Sequence, residues 1–475
     1  MQSYLFYDLE TSGLNPAFDQ VLHFAAIRTD ASFRELKRHE MRIRLRPDVL
    51  MAPGALITHR IPLESLGEGD GEYEAICLIH GLLNSPGTVS LGYNSLNFDD
   101  IFLRFAFYRN LLPAYTHQFA GGCSRMDIFP LTVFFHLFRP EVLRWPEEQG
   151  RVSLRLENLS RENQLAQGMA HDAMVDVEAT LALARVLASE KEMWAYLLAG
   201  FDKKSDGLRL EKLPEAFRSP LGIHPYGLLC GPEMRSTSGY QAPVLGLGRS
   251  AAYTNQTLWL RLDGETLQDT NPLHPEATTS VVRKRNGESP FILPPATRFW
   301  EKMGREKQQL AEENMAWLRS RPDVLKSLCS YYRNYRYPDI EGLDPDAALY
   351  QNGFLSKAEE ALCRRFHGEG VKEKAAMLTE FPPSLQVLAA RLLYRNGLDN
   401  DNAMVREAGA AQREYLLESQ QDRIPRDWRG EPRRTVPMVL QEITGLREKG
   451  GLDAEQMQLL DSLEGDLRRR FSCAV

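Results

Sequence analysis

Apolar positions in the first third of the chain fall in short runs and then in helical spacing. Tyr4–Leu9 predicts a buried strand, and Val21–Thr29 and Met41–Arg46 predict two more after short turns. Thr88–Tyr93 is a further strand, followed by a helix over Phe98–Asn110. Over Asp172–Ala188, Met174, Val177, Leu181 and Ala184 recur on one helical face. Three early strands at hairpin spacing, then strand–helix units, predict a mixed α/β sheet with helices packed on it.

From about Phe201 the pattern changes. Lys203-Lys204-Ser205-Asp206-Gly207 opens a polar stretch. Short β pieces at Gly227–Cys230, Ala242–Gly246, Thr257–Leu262 and Phe291–Leu293 follow between Gly- and Pro-rich turns, the signature of a small β-barrel. Trp300–Arg319 predicts a helix, and from about Tyr350 nearly every segment is helical. Ser356–Glu359 and Asp453–Gln456 are capping-box starts. The chain therefore divides into residues 1–200, 201–345 and 346–475, and a length of 475 residues calls for more than one core.

Composition narrows the class without naming it. No apolar run reaches the roughly 18 residues of a membrane span, and the N-terminus lacks the basic, then apolar, pattern of a secretory signal. Cys77, Cys123, Cys230, Cys329, Cys363 and Cys473 are scattered without a CxxC pair, which excludes a zinc ribbon and fits reduced thiols in a cytoplasm. The net charge of −7 argues against a surface that is basic overall. A nucleic-acid partner then requires a locally basic groove, and the alternative is that the chain binds no nucleic acid.

Three short segments carry candidate chemistry. In Asp8-Leu9-Glu10 the carboxylates lie two apart on a strand and project from one face. Converging carboxylates repel unless a cation lies between them, and such oxygen ligands suit magnesium or manganese. The alternative is a strand running out into the polar turn Thr11–Asn15. In Gly92–Asp100 a strand ends and a helix begins near Asp99, where an acid serves equally as a cap. In His171–Asp176 the histidine belongs to a loop, Asp172 suits the N-cap and Asp176 the first helical turns. A loop histidine can act as a general base, or simply precede a capped helix at the surface.

Taken together, Asp8, Glu10, Asp99, His171 and Asp176 stand in the order and local context of one known site. They resemble the DEDDh exonucleases of the ribonuclease-H-like superfamily, where all five have counterparts. Phe24–Asp30, Leu91–Asn94, Phe98–Asp100, Phe107–Asn110, Ser153–Leu159 and Leu349–Phe354 resemble the bacterial exodeoxyribonuclease I family in particular. The resemblance spans essentially the whole chain, is strong over the first 190 or so residues, and weak between about Phe201 and Pro345.

That resemblance implies a ribonuclease-H-like exonuclease domain, an SH3-like β-barrel domain and a C-terminal helical domain. It implies 3′–5′ removal of 5′-mononucleotides from single-stranded DNA, in repair and recombination. Asp8, Glu10 and Asp176 would bind two magnesium ions, with manganese as a substitute and Asp99 supporting the second ion through water. His171 would take a proton from the attacking water. Arg155 would contact the terminal nucleotide alongside Glu10, unless it pairs with Glu157 or Glu162. Arg104, Tyr115 and Arg139 are further candidates for DNA contact, and Lys203, Lys204, Arg209, Lys212, Arg283, Lys284 and Arg285 for tracking its backbone. The family also implies a partner, the C-terminal tail of single-stranded DNA-binding protein, and a monomeric cytoplasmic enzyme. Residues 1–200, if they fold alone, would hydrolyse a short oligonucleotide. The competing readings are an exonuclease acting on RNA, whose members are shorter, a silent nucleic-acid-binding scaffold, and a protein-interaction module.

Overall fold

Strand β1 (Ser3–Thr11) lies inside a five-stranded sheet with β2 (Val21–Thr29), β3 (Glu35–Arg42), β4 (Thr88–Gly92) and β5 (Ser124–Asp127), in the order β3-β2-β1-β4-β5. The structure is a computed structural model that describes residues 2–168, 171–399 and 401–471. β1 pairs antiparallel with β2 and parallel with β4, so the sheet is mixed. The antiparallel register sets Asp8 opposite Ala25 and Glu10 opposite His23. β1 and β2 are apolar and buried almost throughout, as central strands flanked on both faces must be.

The third strand departs from the expected Met41–Arg46. It runs over Glu35–Arg42 and is largely exposed, and beyond it Ile43 makes only an isolated bridge to Asp70. A charged edge strand resists further pairing, and its charge hides it from an apolar pattern. The helices Asp99–Arg109 and Ala173–Ala188 stand where periodicity placed them.

The chain packs as two compact units that do not follow chain order. One comprises Met1–Arg125, Ala166–Leu181 and Asp339–Val475, and the other Met126–Leu165 and Ala182–Pro338. In the first unit one core joins the sheet residues Leu5, Tyr7 and Phe24 to Leu349, Phe366, Leu388 and Leu392 from the last third of the chain. Beside it lies a buried ionic cluster, in which Asp48 meets Arg46, Arg395 and Arg433, and Asp346 meets Arg391 and Arg395. The capping boxes at Ser356 and Asp453 both form.

The second unit holds a six-stranded sheet whose paired strands are Val281–Arg285, Gln256–Arg261, Gln241–Arg249, Gly222–Cys230 and Phe291–Leu293, with Glu215–Ser219 added on Gly222–Cys230. Every one of these pairings is antiparallel. Helices Arg305–Ser320 and Pro322–Asn334 supply Leu318, Leu325 and Leu328 to the core on one face. The polar stretch at Lys203 is a helix, Lys203–Glu211, started by Asp202, whose carboxylate accepts the Ser205 N–H. The five described cysteines are all unpaired, and Cys473 lies outside the described residues. Among the described residues no helix is long and apolar enough to cross a membrane.

Candidate active site

The alternation of β1 puts Asp8 and Glu10 on one face, with Leu9 buried on the other. The backbone N–H of Leu9 donates to Oδ1 of Asp99 at 3.0 Å, tying the start of the helix Asp99–Arg109 to the strand between the two carboxylates. Gly92 makes the approach possible, because a Cβ there would lie 2.6 Å from the carbonyl oxygen of Tyr7. The chain then turns through Asn94 in the left-handed region (φ 60°), a conformation asparagine tolerates.

The second segment arrives from the helix Ala173–Ala188. Asp172 caps it, its Oδ1 accepting the N–H groups of Met174 (3.0 Å) and Val175 (3.3 Å). Asp176 occupies the first helical turn. His171, immediately before the cap, has a left-handed backbone (φ 64°) that turns the loop into the helix. Ligand atoms of Glu10, His171 and Asp176 lie within 4.8 Å of one another.

Asp8, Glu10, Asp99, His171 and Asp176 thus line one open cavity of about 560 Å³. Burial, together with Asp99, Asp176 and Glu10, drives the Asp8 carboxyl well above the usual carboxylate range. Burial and the charges of Asp176 and Asp99 push Glu10 up to about 9. Such a set is destabilised by its own like charges and is satisfied by a hard cation with oxygen ligands. The donor set therefore fits a divalent metal.

His59, Arg434 and Glu442 also line the cavity and carried no sequence signal. His59 ends the helix Pro53–His59, and burial lowers its pKa to about 4. Glu442, from the helix Val436–Lys449, accepts the Gly54 N–H at 3.0 Å. Arg434 donates to Glu442 at 3.1 Å and lies 3.9 Å from Asp19. The last two stand more than 250 positions beyond the other lining residues, so no local motif could group them.

The expected DNA contacts fare unevenly. Arg104 is buried at 7% exposure and its Nε lies 2.9 Å from Asp100, which also holds Arg125 and His117. An arginine enclosed in that cluster is a structural ion-pair partner, which corrects the expectation that it faces DNA. Tyr115 packs on the core edge with its ring 5.4 Å from Phe354, beside an apolar hollow separate from the carboxylates. Arg155 and Arg139 belong to the second unit and are 67% and 47% exposed; Arg155 lies 3.7 Å from Glu157, and Arg139 lies 3.5 Å from Glu141. Lys284 is corrected as well: fully buried, its ammonium donates to Asp206 at 2.7 Å.

A family model described as an exonuclease (RNase T) matches residues 5–184. Exodeoxyribonuclease I of Escherichia coli (strain K12) is 31% identical over 378 residues, covering 76% of this chain and 78% of that protein. The structure of exonuclease I from Methylocaldum szegediense superposes with a TM-score of 0.83 at 25% identity, over 99% of this chain and 100% of that one. A zinc-bound form of the E. coli enzyme's complex with single-stranded DNA gives 0.80 at 23% identity, over 99% and 100% of the two chains.

Proposed function

The chain belongs to the exodeoxyribonuclease I family and is a metal-dependent 3′–5′ exonuclease of single-stranded DNA, and we propose that Asp8, Glu10, Asp99, His171 and Asp176 are its catalytic set. The observation that carries this reading is the convergence of carboxylates in one cavity, where burial together with the charges of Asp176 and Asp99 pushes Glu10 up to about 9. Asp8, Glu10 and Asp176 hold the divalent metal, two magnesium ions with manganese as a substitute, and Asp99 steadies the set. When bound, those cations offset the charge of the phosphate and favour ionisation of water.

The chain's own groups do the rest. His171 is the general base that accepts the proton of the attacking water, and a ring nitrogen of it lies within 4.8 Å of ligand oxygens of Glu10 and Asp176. Water attacks phosphorus, the bond to the 3′ oxygen of the preceding nucleotide breaks, that oxygen takes a proton from solvent to become the new 3′-hydroxyl, and a 5′-mononucleotide is released. Glu10 and Arg155 contact the terminal nucleotide, and Arg139 and Tyr115 contact DNA. The six-stranded sheet and following helices (201–345) serve as the family's SH3-like domain, and 346–475 as its helical domain. The protein acts as a monomer in the cytoplasm, in DNA repair and recombination, and takes the tail of single-stranded DNA-binding protein as partner.

The test is incubation of the purified protein and magnesium with 3′- and 5′-labelled single-stranded DNA, duplex DNA and RNA. Immediate release of the 3′ label as a mononucleotide, from single-stranded DNA alone, is expected. Preferential hydrolysis of RNA would instead establish the competing exonuclease.

A further inference from the structure

Two segments that line the active-site cavity meet a pair of residues from the last third of the chain. One is the loop after β1, which brings Gly13 and the 74% exposed Leu14 to the cavity. The other is the helix Pro53–His59, whose Gly54, Ala55 and Thr58 line the same space. A backbone bond from the Ala52 N–H to the Ser12 carbonyl, 2.8 Å long, joins them at one point. Beyond it, each segment is held by a different member of the pair Arg434 and Glu442.

The loop is tied down first by Asp19. Its Oδ1 accepts the Ser12 hydroxyl at 3.1 Å and its Oδ2 accepts the Asn15 N–H at 2.9 Å. Buried Arg109 donates to the carbonyls of Pro16 and Asp19 at 2.6 and 3.1 Å. The Asp19 carboxylate also faces Arg434 at 3.9 Å, and Arg434 donates to Oε2 of Glu442 at 3.1 Å. Oε1 of Glu442 accepts the Gly54 N–H at 3.0 Å, so the line runs from the loop to the start of the helix. Two glycines leave room for it. A Cβ at Gly13 would lie 2.4 Å from the Asp19 carboxylate and 2.8 Å from the Arg434 guanidinium, and one at Gly54 would lie 3.3 Å from Glu442. An ion pair in open solvent would hold little, but here Asp19 is buried and Nε of Arg434 is out of solvent. All of these residues belong to the first unit.

The exonuclease reading puts the 3′-terminal nucleotide in this cavity, with its reacting phosphate at the carboxylates. The rest of that nucleotide then meets the lining supplied by the loop and the helix. Grip on the non-reacting part of a substrate orients the reacting part, so the spacing of the two segments matters to the chemical step. We propose that Arg434 and Glu442 are positioning residues of the exonuclease reaction, a bridge that fixes the spacing of the loop and the helix around the terminal nucleotide and so its angle to the carboxylates. The inference rests on the exonuclease reading and gives the last third of the chain a part in turnover.

The full-length protein with magnesium tests it on two oligothymidylates that differ only at the 3′ end, one ending in an ordinary nucleotide and one in its abasic counterpart. Release of the terminal unit is the readout. Arg434→Ala and Glu442→Ala should each lower kcat on the ordinary terminus by about 10- to 100-fold, the scale of a small misplacement of bound substrate. KM should move little, because the bridge itself does not touch the strand. On the abasic terminus wild type and both variants should be equally slow, since no base is there to orient. Glu442→Gln keeps an acceptor for the Gly54 N–H and should recover most of the rate. The ratio between the two strands within one protein is independent of how much of it is folded. An unchanged kcat on the ordinary terminus would overturn the bridge. So would an equal loss on both strands, which would mark a phosphate contact or a general prop. If Arg434→Ala yields no folded protein, Glu442→Ala against Glu442→Gln carries the same comparison. A wild type that releases no mononucleotide would remove the exonuclease reading itself, whereas an active wild type with unaffected variants removes only the bridge.

Discussion

Arg395 donates through Nε to Oδ2 of Asp48 at 3.0 Å, joining positions 347 residues apart. Both side chains are almost wholly out of solvent, and Arg46 and Arg433 close on the same carboxylate. Those guanidinium groups hold Asp48 far below the usual carboxylate range despite its burial. The hydrophobic core against the sheet that carries Asp8 and Glu10 is likewise completed by residues from the last third of the chain, among them Leu349, Phe366 and Leu388.

Removing one partner of a buried ion cluster costs about 3–5 kcal/mol, because the remaining charge stays buried. Arg395→Ala should lose that much in denaturant unfolding. Residues 1–200 alone would strand Asp48 and half of the shared core. The fragment is expected to be insoluble or unfolded, and so inactive on a short oligonucleotide, because the condition that it folds alone is not met. A fragment with a cooperative melt and activity would show the cluster to be dispensable.

Lys284→Ala should cost a similar amount, about 3–5 kcal/mol, by orphaning buried Asp206. Its affinity for single-stranded DNA, measured below the melting point, should match wild type. A loss of affinity in the folded variant would restore Lys284 as a DNA contact.

The acid centre predicts a pH effect of definite sign. Glu10 is raised from 4.5 to about 9 in the folded protein, so the folded state holds its proton more tightly than the unfolded state. The stability linked to that proton is present below the unfolded value and is lost as pH rises through the folded one. In metal-free protein the melting temperature of Glu10→Gln minus that of wild type should grow between 4.5 and about 9. Asp48 and Asp100, shifted the other way, act alike in both proteins and cancel. Saturating magnesium should flatten the difference or reverse it. A flat difference without metal would mean that the carboxylates do not crowd one another.

His171→Ala should slow turnover by roughly 10²–10⁴-fold, the usual worth of a positioned base. Affinity for a single strand should barely change. Collapse of binding with the rate at saturating DNA preserved would make His171 a substrate contact.

Legibility from sequence followed the range of the interactions. Strand alternation fixed Asp8 and Glu10 on one face, and cap chemistry placed Asp172 and thereby Asp176. Those signals span a few residues. The polar strand Glu35–Arg42 and the polar helix Lys203–Glu211 carry too little apolar pattern to be read. Lys284 and Arg104 read as DNA contacts because their partners Asp206 and Asp100 can be recognised only once folding brings burial. Arg434 and Glu442 reach the cavity through tertiary packing alone.

The central claim is that Asp8, Glu10 and Asp176 hold the metal that turnover requires. It is tested most directly by measuring magnesium-dependent mononucleotide release from a single strand by wild type, Asp8→Asn, Glu10→Gln and Asp176→Asn, with each protein's metal-free melting temperature alongside. The account predicts that all three substitutions abolish release while the melting temperature holds or rises, because each removes a charge from a crowded set. Release near the wild-type rate by any one of them, at ordinary magnesium, would contradict it.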